Sequence, residues 1–499
     1  MPQARYRFKH TLVQDAAYQS LRRHTRRVYH QRIAQVLSDQ FPEVAETEPE
    51  VVAHHYTEAG EADTAVHYWQ RAGQRALERS ANPEAIAHVR QGLALLVTQP
   101  ETRVRLQQEL DLQVLLGSAL IATQGSAAAD VERTYARARE LCQQVEDVPQ
   151  LLRVLRGLSL HDIEEGKLQT ALQLAEQLLE LAQTQSDPAD RMLAHHMMGM
   201  TLFYCGEQVA AYDHHTQALA IDTPQAPQAL AVRYGIDLGV ITQSFLAWES
   251  WYLGYPDQAM QHNQAARALA QEIEHPYSLN LALFWSAFLH QWRHEAPETL
   301  AQVEPVTHLA TEQGFALQAS RGTVVYGWAL GMTGQPEAGI AKLREGLDDY
   351  LATGGKVLRL YILALLAEVY GASGHPEAGW QALSKGLDDL THIETHFYEA
   401  ELYRLEGGLL LQQAVPDASQ AETCFHRALE VARRQGAKSW ELRTATSLAR
   451  LWQSQGKRQD AYKLLAPLYA WFTEGFDTAD LIDAKRLLDE LSADMTFPA

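Results

Sequence analysis

The feature that most constrains this chain is a repeat with a period of forty residues. The segment GQPEAGIAKLREGLDDY at 334–350 recurs as GHPEAGWQALSKGLDDL at 374–390. Both copies place small residues, apolar residues and leucines three or four positions apart, which puts them on one face of a helix. The shared positions are Gly339, Ile340, Leu343, Gly346 and Leu347 in the first copy and Gly379, Trp380, Leu383, Gly386 and Leu387 in the second. Because small residues let a neighbouring helix approach closely, the pattern predicts helices that pack on one another.

A second apolar helix precedes each copy, as in TVVYGWALGMTG at 323–334 and LYILALLAEVYGASG at 360–374. In the turns between them, Gly ends one helix, Pro begins the next, and an acidic residue follows where the helix dipole favours it. Each helix–turn–helix unit must stack on its neighbours to bury its apolar face. No alternating strand pattern stands out, so the sequence predicts an all-α solenoid.

The same frame returns along most of the chain, which suggests how it is divided. The predicted regions are a basic helical junction at 1–40, N-terminal repeats at 41–160, a main solenoid at 161–475, and a C-terminal capping helix with a tail at 476–499. A solenoid needs a terminal helix with a polar outer face. The predicted cap presents as its apolar residues Leu481, Ile482, Ala484, Leu487, Leu488 and Leu491.

Composition restricts where the chain works. It has 499 residues, of which 46% are hydrophobic and 21% charged. No apolar run approaches the roughly 18 residues that a membrane span needs, and no signal peptide is predicted. Cys142, Cys205 and Cys424 are too scattered for a disulfide framework or a CxxC pair. We therefore expect a reduced, cytoplasmic protein.

Charge is unevenly distributed. The net charge of −20 argues against binding of nucleic acid or membrane by the bulk of the chain. Residues 1–37 are basic instead, which is typical of a solvated helix face, or of an interface with a partner domain, or less often of a nucleic-acid contact. The basic residues assigned to this junction are Arg5, Arg7, Lys9, Arg22, Arg23, Arg26 and Arg27.

The repeats resemble tetratricopeptide repeats, with a longer period, and this resemblance implies a right-handed superhelix. FYEAELYRLEGGLLL at 397–411, with the repeats that follow it, resembles the C-terminal repeats of bacterial signal-transduction ATPases of the STAND class. Those proteins are often fused to class III adenylate/guanylate cyclases or transcriptional effectors. RFKHTLVQDAAYQSL at 7–21 resembles the helical junction that closes their nucleotide-binding and winged-helix part. The resemblance implies an ATPase or cyclase domain as a partner at the N-terminus.

Catalytic and cofactor signatures are weak. YLATGGKVL at 350–358 lacks the first Gly and the Ser/Thr of a phosphate-binding loop. His290 and His294 have ligand-compatible spacing but no third ligand in a recognisable motif, and LHDIEEGK at 160–167 is interpreted as a solvated turn. We predict no cofactor, no metal and no enzymatic activity.

An aromatic cluster is the strongest candidate for binding. It groups Trp248, Trp251 and Tyr252, with Trp285 and Trp292 one repeat away. Large aromatic residues at helical spacing are typical of a repeat core. The alternative is a concave groove for a peptide or small molecule, with polar anchors at Arg233, Tyr234 and Asp237.

These observations favour a non-catalytic scaffold that binds a protein or ligand in its concave face. In the resembling family such an array is the sensor or regulatory module of an ATPase or cyclase. A bound partner would favour one superhelical curvature over another. The alternatives are a standalone adaptor that holds two partner proteins and, more remotely, an enzyme with an unrecognised site on the repeats.

Overall fold

The computed structural model describes residue 16 and residues 18–223, 227–389 and 394–493 of the chain. Within these ranges the regular elements are all helices, which confirms the predicted all-α fold. They are α1 (Arg23–Gln40), α2 (Pro42–Thr47), α3 (Pro49–Ala59), α4 (Ala62–Glu78), α5 (Asn82–Leu96), α6 (Arg103–Gln124), α7 (Ala129–Val145), α8 (Val148–Glu164), α9 (Leu168–Thr184), α10 (Pro188–Cys205), α11 (Gln208–Leu219), α12 (Pro227–Tyr234), α13 (Leu238–Tyr252), α14 (Pro256–Ile273), α15 (Pro276–Trp292), α16 (Ala296–Gln313), α17 (Ala316–Met332), α18 (Pro336–Ala352), α19 (Arg359–Ala372), α20 (Pro376–Asp389), α21 (Glu399–Gln412), α22 (Ala418–Arg434), α23 (Lys438–Ser454), α24 (Arg458–Tyr469) and α25 (Ala479–Ala493).

The chain forms two compact units. Unit 1 comprises Met1–Ala119 and Glu140–Gln150, and unit 2 comprises Leu120–Arg139 and Leu151–Ala499. Over the described ranges, every helix is too short or too polar to cross a lipid bilayer.

Unit 1 contains the described part of the basic junction. In it α3 packs between α1 and α4, and Trp69 is buried with alanines of α3 and α4. Arg5, Arg7 and Lys9 lie outside the described residues. Arg22 and Arg23 are exposed, and Arg26 lies over the ring of Tyr18 at 5.2 Å. The Nε of Arg27 donates to the carbonyl of Ala59 at the end of α3, 3.0 Å away.

Unit 2 is a stack of helical hairpins of the tetratricopeptide type. Each pairs a first helix with a second, from α10–α11 through α23–α24, and the first helices of successive hairpins also pack on one another from α13 onward. The turns follow the predicted punctuation. Gly334, with φ of +92°, ends one helix and Pro336 begins the next, as Gly374 and Pro376 do one repeat later.

The predicted capping helix is α25, which packs on α23 and α24. Five of its six predicted apolar positions are buried, but Ile482 is 53% exposed. Ile482 directly follows the buried Leu481, and one step along a helix rotates a side chain by about 100°, away from the core.

Unit 2 winds tightly enough that distant repeats touch. The Oγ of Ser439 in α23 donates to the carbonyl of Trp251 in α13, 188 residues away in the chain. The rings of Trp251 and Trp440 pack edge to face with centroids 4.8 Å apart. The hydroxyl of Tyr252 donates to the carbonyl of Phe397 at 3.0 Å. Aromatic side chains therefore fill the inner side of these repeats.

Glycine permits the closest crossing within a hairpin. A Cβ on Gly339 of α18 would lie 2.6 Å from the carbonyl oxygen of Gly327 and from the nitrogen of Gly331, both in α17. Real Cβ atoms do not approach backbone atoms this closely. The backbone atoms of a packed helix can move away only if the whole helix moves. The small residues predicted from the repeat frame are therefore required by contact between helix backbones.

This contact predicts that Gly339→Ala destabilises unit 2 by about 1–3 kcal/mol, because the added methyl group forces α17 and α18 apart. Gly408→Ala is the matched control, since Gly408 is also helical but has nothing within 4 Å of its would-be Cβ. That substitution should raise the free energy of unfolding of unit 2 by up to about 1 kcal/mol, because alanine has a higher helix propensity than glycine. Urea unfolding followed by circular dichroism measures both, and a stable Gly339→Ala chain would contradict the close crossing.

Candidate functional site

A cavity of about 80 Å³ that is partly open to solvent lies inside unit 2. Its walls come mainly from the first helices α8, α10, α13, α15 and α17. Each helix supplies residues three or four positions apart, as α15 does with Tyr277, Leu281 and Trp285. This spacing places them on a single helix face, so the cavity borders the inner faces of five successive hairpins.

Most of the wall is apolar, but it carries one cation without a counter-charge. Arg156 of α8 lines the cavity, and among the described residues no carboxylate pairs with it. Its Nε is buried and has no hydrogen-bond partner within the described part of the chain. Burial lowers the pKa of Arg156, and the hydroxyls of Tyr135, Tyr277 and Tyr234 only partly offset this effect. An arginine still holds its proton at neutral pH, so Arg156 is a positive charge held in a weakly solvated place.

A second arginine in the wall is fully compensated. Arg321 of α17 forms an ion pair with Glu164 at the end of α8, and both are buried. The hydroxyl of Tyr350 donates to the other oxygen of this carboxylate at 2.6 Å. Burial is the largest single influence and lowers the pKa of Arg321, but the charge and hydrogen bond of Glu164, together with Tyr350 and Tyr204, raise this pKa overall. The pair and the hydroxyl together leave no net charge at this side of the cavity.

His196 of α10 supplies a neutral polar group. It is 2% exposed, and its Nδ1 has no hydrogen-bond partner in the parts of the chain that the structure describes. Burial, then the neighbouring His215, then Arg156 hold its pKa well below 6.5, so the ring is uncharged at neutral pH. His215 is itself engaged, with Nδ1 2.7 Å from a carboxylate oxygen of the buried Glu249.

The sequence-predicted aromatic residues are placed largely in the interior. Trp248, Trp251, Tyr252 and Trp292 are each at most 2% exposed and pack on one another. Trp285 lines the cavity, and its carbonyl accepts a hydrogen bond from the indole of Trp248 at 2.9 Å.

The three predicted polar anchors lie near these residues but do not line the cavity. Arg233 forms ion pairs with Asp187 and Asp190, and the Tyr234 hydroxyl donates to Asp190 at 2.8 Å. Asp237 caps α13, where its carboxylate accepts from the backbone of Val240 at 2.8 Å. These contacts give each of the three residues a partner inside the protein.

The sequence reasoning missed Arg156, His196 and Arg321. The available signal was a charged or polar residue at a position that helical spacing assigns to the apolar face. Glu164 and His161 were interpreted as part of a solvated turn, and this was wrong for both. Glu164 is 5% exposed, and His161 is 3% exposed with Nδ1 3.0 Å from the carbonyl of Ser126. Glu164 is buried by a partner that is distant in the chain, and the local sequence pattern gives no sign of that partner.

The two histidines with ligand-compatible spacing contact carboxylates of the protein. His290 and His294 do not share a helix, because α15 ends at Trp292; they contact Glu295 and Glu368 respectively. No group of three or more His, Cys, Asp or Glu side chains among the described residues could hold a metal ion.

A histidine cluster connects α1 and α3 in unit 1. Nδ1 of His30 in α1 lies 2.7 Å from Nδ1 of His55 in α3, and the other nitrogen of His30 lies 2.9 Å from the Tyr18 hydroxyl. Burial is the largest influence on both rings and lowers their pKa values. His54 lowers both further, Arg26 lowers that of His30, and Glu58 raises both. Two Nδ1 atoms at this distance share a single proton, so the contact needs at least one neutral ring.

Comparisons with known proteins show no family for this chain. No family model matches it. An uncharacterized protein of Rhizobium meliloti (strain 1021) is 29% identical over 139 residues, a match that covers 28% of this chain and only 14% of that protein.

Three solved structures are similar in fold. A STAND protein with a tetratricopeptide repeat sensor from Pyrococcus horikoshii gives a TM-score of 0.41 at 15% identity, covering 77% of this chain and 55% of that one. A Rap protein complexed with competence and sporulation factor gives a TM-score of 0.46 at 12% identity, and the match covers 81% of this chain and 99% of that one. The quorum sensor NprR of B. thuringiensis gives a TM-score of 0.43 at 14% identity, and the match covers 74% of this chain and 99% of that one. At these values the likenesses say nothing about ligands.

The two cavity arginines should respond oppositely to the same substitution. Arg156→Met removes an unpaired buried charge, so we expect unchanged stability or a gain of about 1 kcal/mol. Arg321→Met leaves Glu164 buried without its counter-charge and should cost about 3–5 kcal/mol. Chemical unfolding of the two variants measures the difference. An equal loss in both would show that Arg156 is compensated within the protein.

The histidine cluster predicts a pH dependence of α1–α3 that depends on His55. Because the folded pKa values of His30 and His55 lie below 6.5, their neutral forms stabilise the fold above that pH, and this stability is lost as pH falls below it. Amide exchange in α1–α3, corrected for intrinsic rates, should quicken as the pH falls from about 7.5 to about 5.5, because protonation of either ring opposes the folded arrangement. His55→Gln should flatten this dependence, whereas His24→Gln, an exposed control on α1, should leave it intact. An equally steep response in the His55 variant would contradict the assignment.

Proposed function

We propose that this chain is a tetratricopeptide-like binding scaffold in which the cavity of unit 2 takes a small-molecule ligand. On this proposal the chain acts as the sensor or regulatory module of a signalling ATPase or cyclase. The observation that carries the proposal is the cavity, which is enclosed by side chains from five successive first helices.

The position of the cavity supplies a mechanism. A ligand in this cavity touches α10, α13, α15 and α17, which also pack on one another in series. The ligand binds best to the arrangement of hairpins that closes around it. It shifts the population toward that arrangement to the extent that its affinity for the closed arrangement exceeds its affinity for the open one. A change in hairpin angle propagates along a solenoid because each repeat is fixed mainly by its neighbours.

The signalling role is supported by sequence resemblance and by the surface of α1. Resemblance to STAND-class ATPases extends over the C-terminal repeats and the basic junction. On α1, Arg22 and Arg23 are exposed beside the apolar Tyr29 and Ile33, which are 53% and 42% exposed. A partner surface of acidic and apolar residues would complement this face.

The test is to fill the cavity and measure ligand occupancy. Met200 lines the cavity, and Met200→Trp should occupy part of it. Native mass spectrometry of the chain exposed to a small-molecule cell extract should show a one-to-one adduct, and this substitution should reduce its occupancy at least about tenfold, since a ligand gives up most of its contacts when its volume is taken.

The matched control is Ile340→Trp, because Trp380 occupies the equivalent position one repeat later and is accommodated at the surface. This control should retain the adduct. Circular dichroism must show that both variants remain folded. If the unsubstituted chain takes up no adduct, or if Met200→Trp keeps it, the cavity is not a ligand site.

A further inference from the structure

We infer that the ligand of this cavity is a small, largely apolar molecule with a single negative charge, and that Arg156 provides its counter-charge. The inference rests on the proposed function, since it names the class of ligand for the same cavity. It follows from the count of uncompensated charges in the wall and from the chemistry of the remaining surface.

The charge count is one. Of the lining residues, Arg156, Arg321 and Glu164 are charged at neutral pH, and the last two neutralise each other. His196 is neutral because burial and its cationic neighbour hold its pKa well below 6.5. A single positive charge therefore remains. Water can hydrogen-bond to a guanidinium but cannot neutralise it, whereas an anionic group both accepts its hydrogen bonds and cancels its charge.

The rest of the wall selects the body of the ligand. Next to Arg156 stand apolar and aromatic side chains, among them Met197, Phe245 and Trp285. Methionine side chains adapt to an irregular or flat apolar group. Aromatic side chains pack against a flat ring in an edge-to-face arrangement. A strongly polar molecule such as a sugar would leave most of its hydroxyl groups without partners here. A dianion would keep one charge uncompensated.

Two neutral polar atoms can fix the orientation of the anionic group. Nδ1 of His196 and Oε1 of Gln318 are both buried in residues that line the cavity, and neither has a hydrogen-bond partner within residues 18–223, 227–389 and 394–493. A ligand that placed its anionic group at Arg156 and a donor toward Gln318 would satisfy groups that the fold itself leaves unpaired.

The experiment uses two fluorescent probes that differ in charge. The sulfonate 8-anilinonaphthalene-1-sulfonate is an apolar monoanion, and N-phenyl-1-naphthylamine is the same ring system without the charge. We expect the unsubstituted chain to bind the sulfonate tightly at one site and the amine more weakly. Arg156→Met should weaken binding of the sulfonate by about 10–100-fold, because charge-assisted hydrogen bonds are lost, and should change binding of the amine less than about twofold.

Arg191→Met serves as the control, because Arg191 is exposed on α10, the helix that also carries His196. It should alter neither probe. Met200→Trp should weaken both probes and so assign their fluorescence to the cavity.

The outcomes separate the two ideas. If neither probe binds in the cavity, the proposed function fails. If both bind but Arg156→Met leaves the affinity for the sulfonate unchanged, or weakens both probes equally, the assignment of charge recognition to Arg156 is overturned while the cavity remains a ligand site.

Discussion

Aromatic packing between distant repeats is the interaction on which the structure of unit 2 depends. Trp251 and Trp440 meet edge to face, and Ser439 and Arg443 of α23 donate to carbonyls of α13 and α15. Hairpins that met only their immediate neighbours would leave a solvent-filled groove along the first helices. Here the winding is tight enough for rings to fill that space, since large aromatic groups gain most when they are fully buried.

The cavity is the part of the inner side that the rings do not fill. Phe245 and Trp285 form the boundary, because each lines the cavity and also packs against Trp248 in the aromatic core. Beyond them the wall carries Arg156 and His196, whose polar atoms could not be covered by hydrocarbon without loss of stability. A buried cation without a partner is costly in any fold, and sites of this kind are associated with binding.

Much of the fold could be predicted from particular residues. Gly339 and Pro336 marked the helix crossing and the helix start, and both features follow from local backbone sterics. The site could be predicted only in outline. Trp285 was recognised as a candidate, but Arg156 lies in an ordinary amphipathic segment and nothing near it in the sequence shows that it lacks a counter-charge. Glu164 likewise looks like part of a polar turn until Arg321 and Tyr350, 157 and 186 residues further on, are brought to it.

The sequence by itself determined the helices, their pairing into hairpins, the glycine crossings and the terminal cap, because each depends on residues fewer than about forty positions apart. Only the tertiary structure decided which aromatic side chains became core and which line a cavity. It also decided which of two arginines on the inner face received a carboxylate. These properties depend on how far the solenoid turns per repeat, a small rotation that accumulates over many hairpins and leaves no mark in any single one.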